Sequence, residues 1–406
     1  MNELISQDSF ATLLLCSYVI PKEKIANDYK PLSPKEWINL SMKIVKSPIE
    51  RPSNLFNLSA GKICEILRVT SEESNRIVTL LSRGPSMALQ IEKFSSMGIY
   101  VITRADKEYP KRFKKLLKAQ SPNILYVAGD LDILNTDTLG IVGSRNANED
   151  SVEFTKKITS SAVEQGYTIA SGGSRGIDSI AHETAIKKNG KTIAILSDGL
   201  MSFLKNKETV SAILNKQMLV ISPYHPNARF YSYTALERNK YIYTLSKCVV
   251  ATSSDFKKGG TWAGAVENLK SSWVPLFTRK DDNSKGLSEL VKLGAFPIEF
   301  DEIEKKVFRK IENIDNDVVA KAPKYEKLSI FDIVWPIIEK EIKEPIEVAC
   351  LAERLDLEEN QLNIWLRKAK SLGKIEYVNL DKVISSVFYN RNLDSVYQLN
   401  LFEQNS

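Results

Sequence analysis

Histidine and cysteine are scarce in this 406-residue chain, with only His182 and His225 of the first and four of the second. Two imidazoles cannot build a histidine-rich metal site. Cys16, Cys64, Cys248 and Cys350 stand far apart in apolar segments, without the close spacing of zinc ligands or a disulfide framework. They read as reduced core thiols of a cytoplasmic protein, and no cofactor is implied. No run approaches the ~20 unbroken apolar residues of a membrane helix, so no membrane partner is expected. The apolar run at residues 10–16 lacks a basic lead and a small-residue cleavage site, which argues against a signal peptide. Internal repeats and low-complexity segments are lacking too. What remains is 43% hydrophobic and 26% charged residues, the composition of a globular chain of two or three domains at roughly 150 residues each.

Charge is unevenly spread. The chain carries +6 overall, yet the stretch after residue 324 has 10 basic and 14 acidic side chains. The first 324 residues therefore hold +10 against −4 for the tail. A polyanion partner suits the body of the protein and not its end.

Residues 1–95 read as a helical domain. Apolar positions recur at helical spacing over residues 58–67 and 77–81, and Thr70-Ser71-Glu72-Glu73 has the form of a capping box. Gly84-Pro85 is expected to end that helix, with Ser86 opening another that stops near Gly98. A strand at residues 99–102, a basic segment at 107–118 and a strand at 123–128 closed by Gly129-Asp130 follow. From residue 138 to about 300 short apolar runs alternate with helical stretches: 139–142, 168–170, 192–196, 219–221, 248–251 and 274–277. Runs this short, bounded by Gly, Ser and Asp, predict an α/β domain: a doubly wound parallel sheet with helices on both faces. Such sheets take ligands at the carboxyl ends of their strands. Residues 301–324, with Lys321-Ala322-Pro323-Lys324, read as a linker. Residues 325–406 then show helices at 330–342, 348–355 and 358–371, a Gly373 cap and a strand at 374–378, the pattern of a winged-helix module.

The strand ends carry the chemistry. After the first comes Gly143-Ser144-Arg145, a turn that can expose backbone N–H groups beside a guanidinium fork suited to phosphate. After the second comes Ser171-Gly172-Gly173-Ser174-Arg175-Gly176-Ile177-Asp178, opening a helix that continues to His182. Its glycines allow a ligand close to the backbone, and Arg175 adds a cation. Asp178 and His182 read as structural support for the loop. Near the end of the sheet, Lys257-Lys258-Gly259-Gly260-Thr261 forms another phosphate cradle. The basic segment, with Tyr109 and Phe113 among its lysines, is either a DNA track with rings free to stack or a solvated helix face. Trp262 and Trp273 read as core or interface and not as stacking platforms for bases.

The loop at 171–182 resembles the signature of the DprA/Smf family of DNA-processing proteins. The resemblance extends upstream through residues 106–113, 125–130 and 142–145, and downstream through Arg238-Asn239-Lys240 and residues 286–295. Departures include Gly173-Ser174 where the family has Leu-Ala, and Thr234-Ala235-Leu236-Glu237 where it has Phe-Pro before its Arg-Asn-Arg helix. The resemblance implies a Rossmann-like domain that binds single-stranded DNA, forms a homodimer and loads a RecA-type recombinase in recombination or natural transformation. It places Gly143, Ser144, Arg145, Ser171, Gly172, Gly173, Arg175, Gly176, Arg238, Asn239, Lys240, Lys258, Gly259, Gly260 and Thr261 at the DNA. These residues supply cations and amides without a nucleophile–base pair, so catalysis is not expected. The alternative is a nucleotide-sensing protein, for instance in phage defence, or a phosphoribohydrolase-like enzyme. Against the enzyme, Glu267 follows Gly259-Gly260-Thr261 at the wrong interval. The acidic Glu358-Glu359 start of the tail's third helix favours protein contact or dimerisation there over DNA binding.

Overall fold

Side-chain oxygens start the N-terminal helices. Ser6 caps α1 (Gln7–Cys16), Ser33 caps α2 (Pro34–Val45), Ser59 caps α3 (Ala60–Leu67) and Thr70 caps α4 (Ser71–Leu81). Each accepts a hydrogen bond from an N–H of the first turn that would otherwise lack a partner. Ser33 with Glu36 and Thr70 with Glu73 are complete capping boxes. The following helix, α5 (Gly84–Ser96), begins at Gly84-Pro85 and not at Ser86. Proline costs no hydrogen bond in a first turn, so it opens this helix as well as closing the previous one. The apolar faces of these helices, including Leu13, Ile44, Ile63 and Leu80, share one core with Val101, Tyr126, Ala194 and Val220 of the sheet.

The structure, a computed structural model, describes residues 5–20, 23–281, 283–299, 335, 338–342, 344–378 and 383–386. The chain divides into two compact units, residues 1–320 and 321–406. After α5 the first unit continues through β1 (Tyr100–Thr103), α6 (Lys111–Leu117), β2 (Ile124–Gly129), β3 (Thr138–Val142), α7 (Glu149–Glu164), β4 (Thr168–Gly172) and α8 (Ile177–Lys187). It then runs through β5 (Thr192–Ile195), α9 (Leu200–Phe203), α10 (Lys207–Leu214), β6 (Met218–Ser222), α11 (Ser232–Leu245) and β7 (Cys248–Ala251). The last elements are α12 (Gly259–Ser271), β8 (Leu276–Arg279), α13 (Lys285–Lys292) and β9 (Phe296–Ile298).

The nine strands form one sheet in the order β1-β2-β6-β5-β4-β3-β7-β8-β9. From β6 to β9 every pairing is parallel. The chain winds from β3 outward through β4, β5 and β6, then returns to the other side of β3 with β7. This makes the sheet doubly wound, with its switch point between β3 and β7. The strands alternate faces as the pleat demands. Leu139, Ile141, Cys248 and Val250 enter the core beneath α7 and α8, while Val142, Val249 and Ala251 enter the one shared with α6, α11 and α12.

Three expectations need correcting. The sheet is mixed, because β1 and β2 add to its edge antiparallel through β1·β2 and β2·β6. The run at 274–277 is a strand only from Leu276, after Pro275. A further strand, β9, pairs with β8 at the edge, where Pro297 is tolerated. Cys248 is buried and Cys16 and Cys64 half-buried, but Cys350 is exposed and is no core thiol.

The second unit has β10 (Ile346–Glu347), α14 (Val348–Arg354), α15 (Glu359–Ser371), β11 (Ile375–Val378) and β12 (Val383–Ser386). The three strands pair antiparallel with β12 in the centre. Leu351, Leu362, Leu366 and Ile375 form its core with Trp335 and Ile338. The linker expected at 301–324 and the start of the helix expected at 330–342 lie outside the described residues.

Candidate nucleic-acid interface

One face of α11 is cut for a crevice. Ser232, Ala235, Leu236, Asn239, Ile242 and Tyr243 recur at three- and four-residue spacing and face a cavity of about 600 Å³. Its other walls are the loop after β3, with Gly143, Ser144 and Arg145, and the segment from Ser254 to Thr261 that follows β7. It therefore stands at the carboxyl ends of β3 and β7, at the switch point.

Arg238 lies at the floor. Its residue surface is 4% exposed, and its Nε and Nη1 have no hydrogen-bond partner. Burial pushes its proton affinity below the usual arginine range, an effect opposed by Asp178 and reinforced by Arg145. Arginine stays protonated nonetheless, so a desolvated positive charge lies at the cavity floor, with Nε and Nη1 sealed from solvent. Gly172 gives it room, because a side chain there would collide with the guanidinium.

The loops around Arg238 brace one another. Gly176 adopts φ 84°, and a β-carbon on it would strike the carbonyls of Ser144 and Arg145. The Ile177 N–H donates to Ser144 O at 3.3 Å. The Ser144 N–H, expected to be open to a phosphate, instead donates to Ser253 Oγ at 2.8 Å. Open amides come from another place. The first turn of α12, at Gly259, Gly260 and Thr261, follows Lys258, which makes no side-chain capping bond. These residues and Lys258 line the cavity, and the first-turn N–H groups of a helix have no partner within it. Asn239 holds this turn, its Nδ2 donating to Gly260 O at 2.8 Å.

Asp178 and His182 support the floor. Asp178 Oδ2 accepts from the Ser174 N–H at 3.2 Å, and its Oδ1 lies 3.1 Å from Ser171 Oγ. Ser171 is fully buried and also bonds Ile141 O at 2.7 Å, so it underpins the loop and presents nothing to the cavity. His182 Nε2 lies 2.8 Å from Gly172 O and Nδ1 lies 2.6 Å from Thr192 Oγ1. A carbonyl only accepts, so Nε2 carries the proton, while Thr192 Oγ1 beside Nδ1 also donates to Ile169 O at 3.0 Å. Burial holds this imidazole neutral by lowering its pKa.

Not every expected residue reaches the cavity. Gly173 packs toward Leu196 and Phe203, Arg175 is exposed outside the lining, and Lys240 turns to Glu237 at 3.5 Å and the Tyr241 ring. The basic segment offers no stacking rings, since Tyr109 and Phe113 are 1% and 0% exposed in the core. Arg112 within it donates to Thr244 O and Ser246 O at the end of α11. Trp262 packs edge-on against Phe256, and Trp273 joins the core beneath α12. Glu267 is exposed on α12, away from the lining residues. Overlooked in the sequence were Phe230, Tyr231 and Tyr233 at the start of α11, although three aromatics within four residues are a visible signal. Among the described residues no group of three or more His, Cys, Asp or Glu side chains is placed to hold a metal, and no helix is long and apolar enough to cross a membrane.

Comparison with known proteins follows this geometry. The chain is 27% identical to DNA processing protein DprA of Streptococcus pneumoniae over 212 residues, covering 52% of this chain and 72% of that one. It is 29% identical to protein Smf of Escherichia coli over 196 residues, covering 47% and 52%. The X-ray structure of the S. pneumoniae DprA shares the fold with a TM-score of 0.52 at 20% identity, over 68% of this chain and 98% of that one. The sequence profile of DNA recombination-mediator protein A matches residues 100–308, from β1 past the last strand of the sheet. The chain thus belongs to the DNA recombination-mediator protein A family.

Proposed function

We propose that the cavity between β3 and β7 holds the sugar-phosphate backbone of single-stranded DNA, and that the protein processes DNA in recombination or natural transformation. The observation that carries this is the cationic lining of the cavity, where Arg145, Lys258 and the first turn of α12 surround one space above the buried guanidinium of Arg238. The lining sets the cations Arg145, Arg238 and Lys258 and the amides of α12 beside the carboxylates Asp178 and Asp255. Its cations and amides suit the holding of a polyanion. In this reading a homodimer presents the strand to a RecA-type recombinase, and the second unit serves protein contact. The names of the relatives, DNA processing protein and Smf, support the reading.

A gel-shift comparison of single-stranded and duplex DNA at two salt concentrations tests it. Single strands should bind more tightly than duplex, with affinity falling as salt rises. Lack of single-strand binding at low salt overturns the reading. Tight mononucleotide binding without strand binding moves the assignment to nucleotide sensing.

A further inference from the structure

The start of α11 carries aromatic surface that phosphate binding does not explain. Phe230, Tyr231 and Tyr233 are 45%, 52% and 65% exposed. Three water-facing rings within four residues are unfavourable unless something covers them, and grouped apolar surface of this kind marks a binding face. Phe230 and Ser232 line the cavity, with Tyr231 between them in the chain and Tyr233 next along it. The Tyr231 and Tyr233 rings lie 22° from parallel with centroids 5.5 Å apart, already arranged as a short stack. Phe230 lines the cavity, its ring centre 5.6 Å from the Arg145 guanidinium carbon.

The cavity thus has a cationic floor and a flat aromatic edge, the two surfaces that a nucleotide presents in reverse. The geometry points to Tyr231 and Tyr233 as a platform that continues its stack with bases of the bound strand, while Phe230 positions Arg145 over the backbone. This rests on the reading of the cavity as a backbone site. It adds the reason for strand choice. Every base has a π face, so the platform tolerates any sequence, but it requires bases not already stacked and paired within a duplex. A second protein chain is disfavoured as the occupant, because Arg145 and the buried Arg238 beside the rings call for an anionic ligand.

The test titrates an oligothymidylate and an abasic oligomer of the same phosphate count against three proteins at fixed salt. These are the wild type, the Tyr231→Ala/Tyr233→Ala variant and the Tyr231→Phe/Tyr233→Phe variant. The alanine variant should lose roughly tenfold in affinity for oligothymidylate, keep wild-type affinity for the abasic oligomer and keep its salt dependence. The phenylalanine variant should bind as the wild type does. Undiminished oligothymidylate binding by the alanine variant, or an equal loss for the abasic oligomer, overturns the platform and leaves the backbone site standing. Lack of binding of either oligomer by the wild type overturns the backbone site itself.

Discussion

The guanidinium of Arg238 occupies the space into which a β-carbon on Gly172 would project, with Asp178 Oδ2 beside it. A glycine at the end of β4 thereby seats an arginine delivered by α11, more than sixty residues later in the chain. Gly172→Ala should push the guanidinium from the cavity floor. The expected result is a destabilisation of about 1–3 kcal/mol from overpacking, together with a loss of single-strand affinity of about tenfold. Thermal melting and strand titration of the same preparation read both effects.

Arg238 itself should trade stability against binding. A buried charge with unused donors costs folding free energy, so Arg238→Met is expected to fold as stably as the wild type or more so, by about 1–3 kcal/mol. Asp178 keeps its bonds to Ser171 and Ser174 in that variant. Single-strand affinity should nevertheless fall at least about tenfold. Denaturant unfolding paired with titration separates this outcome from a plain folding defect, in which both quantities decline.

Salt dependence counts the backbone contacts. Each phosphate neutralised on a single strand contributes about −0.7 to the slope of log affinity against log salt. Arg145→Ala and Lys258→Ala should each flatten the slope by about that amount. Lys240→Ala should leave it unchanged, because Lys240 faces Glu237 and not the cavity. An equal effect from Lys240→Ala would redraw the strand's path.

Acid should destabilise the fold through its two histidines. Burial lowers the pKa of His182 and of His225 below the ordinary value of 6.5. The folded state then binds fewer protons than the unfolded one near that value. The stabilisation is complete above about pH 6.5 and is lost as pH falls toward the folded-state values. Unfolding free energy measured between pH 7.5 and 5 should fall with acid, and His182→Gln should flatten the curve.

The start of α4 was legible at Thr70 and Glu73, because a capping box is complete within four residues. The strand runs of the sheet were legible for a similar reason. Leu139, Ile141 and Val142 belong to a short apolar run closed by Gly143-Ser144, which needs no distant information. Tyr109 and Phe113 were not legible as core. Lysines around them favour water, and only the packing of α6 against α11 removes both rings from it.

The amino-acid order by itself determined the Thr70 capping box, most of the strands and the loops rich in glycine and cations. Those features depend on hydrogen bonds and apolar runs acting over a few neighbouring residues. Tertiary structure alone decided that Ser253 takes the Ser144 amide, that Gly172 seats Arg238, and that Phe230 meets the Arg145 guanidinium. Each joins parts of the molecule whose proximity depends on strand order and helix packing, and sheet order is set by the whole core and not by any local run.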